Sequence, residues 1–350
     1  MSKIQVMIVE DSAVVRALLE HIIGGDPRLE VCATAASGEH ALQLLGELSP
    51  DVIAMDIRLP GMDGIECTQR IMRSKPVPIV VVAGTTEAGK CNSLPMEALR
   101  AGALTLIEKP AATTHASYNA LAERLCTQLA IMSEVIVIRQ HARRDSASET
   151  GCPTGVRKAG IGPFKMLGIA CSTGGPSALL QLLASLGPAF PLPILLVQHM
   201  TASFVEGFAS WLNVVCPFAV TVIQDGCIPV AQAVHMAPAD RHLRLEAGRL
   251  RVDTGDPVSF QRPSGTILFQ SMAKHLGADA LGVVLTGMGD DGALGLLNLR
   301  EAGGYTLAED ESSAVVYGMP AAAVRLGAVC ESLPLSAVAP RILELTACSA

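Results

Sequence analysis

Three carboxylates and one lysine in the N-terminal third each follow a short apolar run: Glu10, Asp11, Asp56 and Lys109. If these runs are parallel strands, all four side chains lie at the same edge of one sheet. Carboxylates gathered in this way need a neutralising cation, and oxygen-only ligands suit Mg²⁺. The pattern therefore predicts a magnesium site for phosphoryl chemistry, although an aspartate after a strand is by itself more often a helix cap.

A second group, in the C-terminal half, has the residue types of a nucleophile, a base and an orienting acid. Ser172 lies in the Gly-rich stretch 168–176, between an apolar run and a helical segment, where free amides at a helix N-terminus can stabilise an oxyanion. His199 ends the next apolar run, and Asp290-Asp291 follows another. Because a serine becomes a strong nucleophile beside a base that a third group orients, the three together favour a Ser-His-Asp triad.

Each member of this second group also has a simpler explanation. A glycine-rich turn can bind a phosphate or cap a helix, a histidine after an apolar run is more often a packed residue, and an aspartate pair commonly forms a turn. Their shared position after predicted parallel strands favours the triad. The chain order Ser, His, Asp differs from the Ser, Asp, His order of α/β-hydrolases and predicts a different fold.

The elements that position both groups alternate short strands with helices, which predicts α/β domains with helices covering parallel sheets. The first series of predicted strands matches a flavodoxin-like (βα)5 domain. Its strands are Ile4–Val9, Leu29–Ala35, Val52–Met55, Ile79–Val82 and Leu104–Ile107. The second series predicts a doubly wound, mostly parallel sheet with strands Phe164–Ala170, Ile194–Val197, Ala219–Ile223, Ala233–Met236, Leu250–Val252, Ala280–Leu285 and Ala328–Glu331. Polar and apolar residues alternate over 233–252, which predicts an antiparallel hairpin attached to that sheet.

A helix and a linker are predicted between the two series. The segment Ser117–Ile138 is amphipathic, with apolar residues recurring at spacings of three and four. The segment Arg139–Lys158 is rich in Ser, Gly and Pro and carries five basic residues against two acidic ones. We therefore expect one domain over 1–112, the helix and flexible linker over 113–160, and a second domain over 161–350.

Composition excludes several classes of protein. Half of the 350 residues are hydrophobic and 17% are charged, which excludes intrinsic disorder. The net charge of −7 argues against a nucleic-acid binder. The ten cysteines include no C-x-x-C pair, so zinc ribbons are not expected. The sequence has no signal peptide and no long apolar span, which predicts a cytoplasmic protein with reduced thiols and without membrane insertion.

The first group belongs to motifs that together resemble the receiver domains of two-component response regulators, over residues 3–112. These motifs are Glu10-Asp11-Ser12, Met55-Asp56, Pro60-Gly61-Met62-Asp63-Gly64 and Glu108-Lys109-Pro110. The resemblance implies that Asp56 accepts a phosphoryl group from a histidine kinase and that Lys109 contacts the phosphate. It also implies a magnesium site formed by Glu10, Asp11, Asp56 and the Arg58 carbonyl.

Two positions depart from the receiver pattern. Ala83 stands where the family usually has Ser or Thr, and Leu106 stands where it tends to have an aromatic residue. In the family these two side chains transmit phosphorylation to the surface. We therefore expect a phosphorylated Asp56 with a switch that is weakened or that uses Thr85 or Thr86.

The second group belongs to motifs that resemble the chemotaxis protein-glutamate methylesterases of the CheB type. They are Ala170-Cys171-Ser172-Thr173-Gly174-Gly175-Pro176, Val197-Gln198-His199-Met200, Ala237-Pro238, Leu285-Thr286-Gly287-Met288-Gly289-Asp290-Asp291-Gly292-Ala293 and Tyr317-Gly318-Met319-Pro320. The resemblance implies that Ser172 attacks a receptor glutamate methyl ester, that His199 transfers the proton and that Asp291 holds the imidazole. Backbone amides of Thr173 and Met288 would form the oxyanion hole. The same site would deamidate receptor glutamines.

Several further expectations concern the cleft and the partners. His235 and His242 are expected to shape the cleft, Cys171 to be a small buried residue, and the Gly265-Thr266 and Glu309 departures to affect packing only. The expected enzyme is a phosphorylation-regulated hydrolase whose receiver covers the cleft. Its partners would be methyl-accepting chemoreceptors and a CheA-type histidine kinase, with Mg²⁺ at the receiver and no cofactor for ester hydrolysis. The alternative is a non-catalytic or unregulated signalling module with a degenerate receiver.

Overall fold

The N-terminal sheet has five parallel strands. The computed structural model describes residues 3–84, 94–110, 115–135, 137 and 164–347, without the side chains of 115–117. The strands are β1 (Ile4–Val9), β2 (Leu29–Ala35), β3 (Val52–Met55), β4 (Ile79–Ala83) and β5 (Thr105–Glu108). Their order is β2-β1-β3-β4-β5, so β1 and β3 lie side by side and bring their carboxyl ends together.

Helices lie between and after these strands. They are α1 (Ala13–Gly24), α2 (Gly38–Glu47), α3 (Gly64–Ser74), α4 (Leu94–Arg100) and α5 (His115–Met132). α5 ends six residues before the predicted end of the Ser117–Ile138 helix. The amides of Glu134 and Val135 bond to carbonyls only three residues earlier, and this tightened turn closes the helix. The predicted linker Arg139–Lys158 lies outside the described residues.

The C-terminal sheet has seven parallel strands in the order β14-β13-β12-β6-β7-β9-β8. They are β6 (Met166–Cys171), β7 (Ile194–Gln198), β8 (Ala219–Val222), β9 (Ala233–Met236), β12 (Ala280–Val284), β13 (Tyr305–Glu309) and β14 (Glu331–Leu333). A separate antiparallel pair is formed by β10 (His242–Glu246) and β11 (Arg249–Asp253). The order reverses beside β6, where parallel sheets form ligand-binding crevices.

The predicted α/β fold class is confirmed, but the predicted hairpin over 233–252 begins too early. β9 pairs in parallel with β7 and β8, and only β10 and β11 form the hairpin. Its two-residue turn, Ala247-Gly248, has positive φ at both positions, as primed hairpin turns require. β13 was not predicted, because two of its five residues are polar yet buried, and β14 begins three residues later than predicted.

Six helices cover the C-terminal sheet and complete the core. They are α6 (Gly175–Leu186), α7 (Ala202–Val215), α8 (Gly265–His275), α9 (Ala293–Glu301), α10 (Met319–Arg325) and α11 (Leu335–Ala347). α4 of the N-terminal unit packs against α6 and α7. Buried apolar side chains of the two sheets form one continuous cluster through this contact. Within the described part of the chain, no helix is long and apolar enough to cross a membrane.

Candidate active site

Ser172 directly follows β6, in the turn that begins α6. Gly174 caps the helix with a φ of +78°, and a Cβ there would lie 2.6 Å from the Cβ of Val315. This conformation and this close approach both require glycine. The Ser172 amide donates to the Thr286 carbonyl over 3.0 Å, and Gln198 Nε2 donates to the Ser172 carbonyl over 2.8 Å. The backbone of Ser172 is therefore fixed from two neighbouring strand ends.

His199 follows β7 and lies beside the nucleophile turn, since its amide donates to the Cys171 carbonyl over 3.0 Å. Its Nε2 lies 2.9 Å from Asp291 Oδ2. An ionised carboxylate only accepts hydrogen bonds, so the proton is on Nε2. Nδ1 is buried and has no partner among the described residues, and it carries the lone pair. The ring therefore presents Nδ1 as its basic atom.

Asp291 is 1% exposed and is held by three donors besides His199. Ser264 Oγ donates to Oδ1 over 2.5 Å, the Gly265 amide to Oδ2 over 2.6 Å and the Thr266 amide to Oδ1 over 3.2 Å. Burial opposes the charge of Asp291, but the bonds to His199, Ser264 and Gly265 outweigh it and lower the pKa of this carboxyl. An ionised Asp291 can stabilise an imidazolium at His199.

Ser172 and His199 line one cavity of about 810 Å³. Thr173 and Met288 also line it, and neither of their amides donates a hydrogen bond to another described residue. These two N–H groups are available to an oxyanion, as backbone donors at an acyl-transfer site must be. Ser172 Oγ likewise makes no hydrogen bond within the described residues and is free to attack. The cavity therefore contains the parts of an acyl-transfer site.

The N-terminal unit forms part of the same cavity. Leu99, Leu106, Arg124 and Gln128 line it from α4, β5 and α5. Leu106 is half-buried in this position. The N-terminal unit therefore contributes part of the wall of the cavity that Ser172 lines.

Glu10, Asp11 and Asp56 form an acidic cluster at the carboxyl ends of β1 and β3, with one oxygen of each within 4.8 Å of the others. Lys109 Nζ lies 2.8 Å from Glu10 Oε2 and 2.9 Å from Asp56 Oδ2. Burial and the neighbouring Asp56 raise the pKa of Glu10 even though Lys109 opposes them. Burial works against the charge of Lys109, but its bonds to both carboxylates raise its pKa. The all-oxygen donor set and its close spacing fit Mg²⁺.

The family model described as CheB methylesterase matches residues 167–342, and the model of the response regulator receiver domain matches residues 6–117. The chain belongs to the CheB methylesterase family. It is 52% identical over 344 residues to the protein-glutamate methylesterase/protein-glutamine glutaminase 2 of Paramagnetospirillum magneticum, covering 98% of this chain and 97% of the relative. The resemblance predicted from the motifs is confirmed.

Another relative and a solved structure are also similar to this CheB-family chain. The protein-glutamate methylesterase/protein-glutamine glutaminase of Nitrosospira multiformis is 40% identical over 346 residues, which cover 98% of this chain and 97% of the relative. The crystal structure of the Thermotoga maritima CheB methylesterase catalytic domain matches with 32% identity and a TM-score of 0.50, covering 52% of this chain and 98% of that one. The catalytic-domain fold is shared.

Two residues beside the CheB-family site were not expected to have a positioning role. Ser264 was not among the site residues predicted from the sequence, yet it is fully buried and bonds to Asp291. Glu309 was expected to affect packing only, yet its Oε2 accepts from the Thr286 amide over 2.8 Å and its Oε1 from Ser313 over 2.9 Å. Thr286 Oγ1 in turn donates to the Thr173 carbonyl over 2.8 Å. No local sequence signal pointed to the role of Glu309, because the strand that it ends, β13, was not predicted.

The remaining predicted residues have local roles. Cys171 is fully buried, which raises the pKa of its thiol, and its Sγ donates to Gln198 Oε1 over 3.1 Å. Burial lowers the pKa of His235, whose Nε2 accepts from the Val230 amide over 2.9 Å. His242 is fully buried and bonds to backbone atoms on both sides of the loop before α8.

Two of the receiver expectations concern the end of β4 and the loop after it. Ala83 is buried there and offers no hydroxyl to a phosphoryl group on Asp56. Thr85 and Thr86, the suggested substitutes, lie outside the described residues. Arg58 is exposed in the loop after Asp56. The carbonyl of Arg58 stays a predicted ligand.

Proposed function

We propose that this chain hydrolyses methyl esters of glutamates on the cytoplasmic helices of chemoreceptors and deamidates glutamines at the same sites. The observation that carries this proposal is the His199–Asp291 pair beside Ser172 in one cavity. The pair leaves His199 Nδ1, which is buried and has no partner among the described residues, as the basic nitrogen of the ring. The names of the relatives from Paramagnetospirillum magneticum and Nitrosospira multiformis support glutamate methyl esters and glutamines as the substrate class.

The proposed reaction begins when Ser172 Oγ attacks the ester carbonyl and its proton passes to His199 Nδ1. The oxyanion of the tetrahedral intermediate accepts hydrogen bonds from the amides of Thr173 and Met288. Collapse breaks the ester C–O bond, and the imidazolium gives its proton to the leaving methoxide, which departs as methanol. Asp291 stabilises the transient imidazolium throughout.

The acyl-enzyme is then hydrolysed by the same groups. Water gives a proton to His199 Nδ1 and attacks the acyl carbon, and collapse returns the proton to Ser172 Oγ. The product is a receptor glutamate. With a glutamine substrate the first leaving group is ammonia instead of methanol.

We infer that the receiver regulates this chemistry through Asp56. Glu10, Asp11, Asp56 and the Arg58 carbonyl would hold Mg²⁺, which when bound would neutralise charge on a phosphoryl group. The Asp56 carboxylate would attack the phosphorus of a phosphohistidine on a CheA-type kinase. Lys109 would then contact the new phosphoryl oxygens, because its ammonium group already lies 2.9 Å from Asp56.

Movement of the receiver is the proposed consequence. Leu106 and Arg124 line the cavity that contains Ser172, so a receptor helix reaches the nucleophile only when they withdraw. Ala83 favours a second candidate, an esterase whose receiver has lost this switch. In both cases the catalytic groups are the same.

Methanol release from methylated receptor membranes tests the esterase. The wild-type chain is expected to release methanol, and Ser172→Ala to lose at least about 10³-fold in rate. A fluorophosphonate probe should label the wild-type chain and leave Ser172→Ala unlabelled. Equal release by both proteins would overturn the proposal.

A further inference from the structure

Phe260 stands at the mouth of the catalytic cavity with its side chain 100% exposed. The other eight exposed large apolar side chains of the described residues are less exposed than this. Only one of them, Met288 at 46%, also lines the cavity. The mouth of the cavity therefore presents an aromatic ring and a methionine to solvent.

The backbone around Phe260 has a conformation that its residue types disfavour. Ser259 has a φ of 49° and Phe260 a φ of 60°, and both are L-residues in the left-handed region. Val258 and Gln261 enclose them with two reciprocal backbone hydrogen bonds of 3.1 and 2.9 Å. A turn of this primed type prefers Asn-Gly or Asp-Gly at its centre. A phenylalanine here adds backbone strain and gains no burial, and strained residues of this kind cluster at ligand clamps.

Polar contacts hold both ends of this loop in place. Ser264 N donates to His242 Nδ1 over 3.2 Å, so the other ring nitrogen carries the proton and donates to the Asp256 carbonyl over 3.0 Å. Arg262 Nη1 donates to the carbonyls of Thr254 and Gly255 over 3.2 and 3.1 Å. The exposed ring is thus carried by a fixed loop, and a preorganised contact loses little entropy on binding.

We propose that Phe260 is a docking residue that packs against an apolar side chain of the receptor helix, one turn from the glutamate whose ester enters the cavity. This inference rests on the proposed function. A helix that places one side chain at Ser172 lays its neighbours at spacings of three and four across the mouth of the cavity. The mouth presents Phe260 and Met288 there, so the complementary neighbours are apolar.

Docking through Phe260 precedes uncovering of the nucleophile. The ring is fully exposed while Leu106 and Arg124 still line the cavity. The unphosphorylated chain therefore binds receptor helices that it hydrolyses only slowly. This predicts a binding step that is separable from turnover.

The test compares Phe260→Gly with the matched control Ser259→Gly in the full-length chain. Both changes relieve a positive φ, so neither lowers the melting temperature, and a rise of about 2 °C is expected for each. With methylated receptor membranes, Phe260→Gly should raise KM about 10-fold with little change in kcat, because one buried aromatic contact is lost. Ser259→Gly should keep the wild-type KM. Phe260→Trp should have a KM close to that of the wild type.

A binding measurement separates the two proposals. In the Ser172→Ala background, co-sedimentation with receptor membranes should weaken about 10-fold on adding Phe260→Gly and should not change on adding Ser259→Gly. If wild-type protein releases methanol but the two glycine variants share one KM and one binding curve, the docking role is wrong and the esterase stands. If wild-type protein releases no methanol, the proposed function itself fails.

Discussion

The charge state of one carboxylate decides which nitrogen of His199 can act. Asp291 accepts from Nε2, which leaves the lone pair on Nδ1. The donors around Asp291 lower its pKa and keep it an acceptor. Because the pKa of Asp291 is lower in the folded chain than its unfolded value of 3.8, the ionised carboxylate stabilises the fold at pH values above 3.8. This contribution to stability is lost as the pH falls through the lowered pKa. At the residue scale, the tautomer of His199 therefore determines which ring nitrogen can accept a proton.

Asp291→Asn should remove activity without unfolding the chain. The neutral side chain can no longer stabilise an imidazolium at His199, and its NH2 group replaces an oxygen that accepts a backbone N–H, so kcat should fall by about 10³- to 10⁴-fold. Methanol release at saturating receptor measures this. Asp290→Asn is the matched control, because it removes the same charge from the exposed neighbouring position. Similar losses in both variants would contradict the role assigned to Asp291.

Glu309→Gln should stabilise the protein near neutral pH. Burial raises the pKa of Glu309 above its unfolded value of 4.5, against the bonds from Thr286 and Ser313, so the ionised form costs stability at higher pH. The amide keeps an acceptor for Thr286 N. The melting temperature should rise by about 2 °C at about pH 7, and the gain should vanish as the pH falls to about 4.5. A gain that does not depend on pH would show that Glu309 is not the titrating group.

At the scale of elements, close packing of strand ends sets the geometry of the nucleophile. Gly287 follows β12, and a Cβ there would lie 2.8 Å from the Cβ of Ser172 and 2.3 Å from the Met319 sulfur. β6 and β12 are neighbours in the sheet, so this contact is built into the strand order. The loop that supplies the Met288 amide therefore also determines where Ser172 lies.

Gly287→Ala should displace the nucleophile. Since the added methyl has no room on either side, Ser172 must shift by several tenths of an ångström, and kcat should fall by about 10- to 100-fold. Gly46→Ala is the control, because a Cβ at that position meets nothing within 4 Å. Unchanged kcat in Gly287→Ala would show that the two loops are not mutually constrained.

The sequence predicts the elements better than it predicts the contacts between them. β1, β2 and β3 have the predicted bounds because their apolar runs are short and sharply bounded. β13 escaped prediction because polar side chains are buried in it, where nonlocal partners satisfy them. The Ser264–Asp291 bond was unpredictable for the same reason, since it joins loops 27 residues apart. The motif residues could be identified from the sequence. The residues that hydrogen-bond to them, such as Ser264, come from other loops and are brought together only by the folded sheet.

At the scale of the whole molecule, the two units share a core and a cavity. Leu106 comes from the receiver, yet it lines the space around Ser172. Ser203 on α7 lies 3.5 Å from Glu108 on β5, so the receiver meets the catalytic unit close to the acidic cluster. The strand that carries Leu106 into the cavity lining, β5, therefore ends beside Lys109 of the acidic cluster.

Leu106→Glu should uncover the cavity without phosphorylation. Burying a charge at this half-buried position costs free energy that opening of the cavity recovers, so methanol release without a phosphodonor should rise about 5-fold or more. Val14→Glu is the control, because Val14 is 80% exposed on α1 of the receiver and does not line the cavity. Equal basal rates in the wild type and in Leu106→Glu would contradict a covering role.

The most direct measurement is methanol release from methylated receptor membranes by the full-length chain, with and without Mg²⁺ and a small phosphodonor. Ser172→Ala serves as the blank and Asp56→Asn as the control for the receiver. Release should depend on Ser172 and should rise with the donor only when both Mg²⁺ and Asp56 are present. Release that persists in Ser172→Ala contradicts the esterase, and Ser172-dependent release that ignores the donor contradicts the proposed regulation.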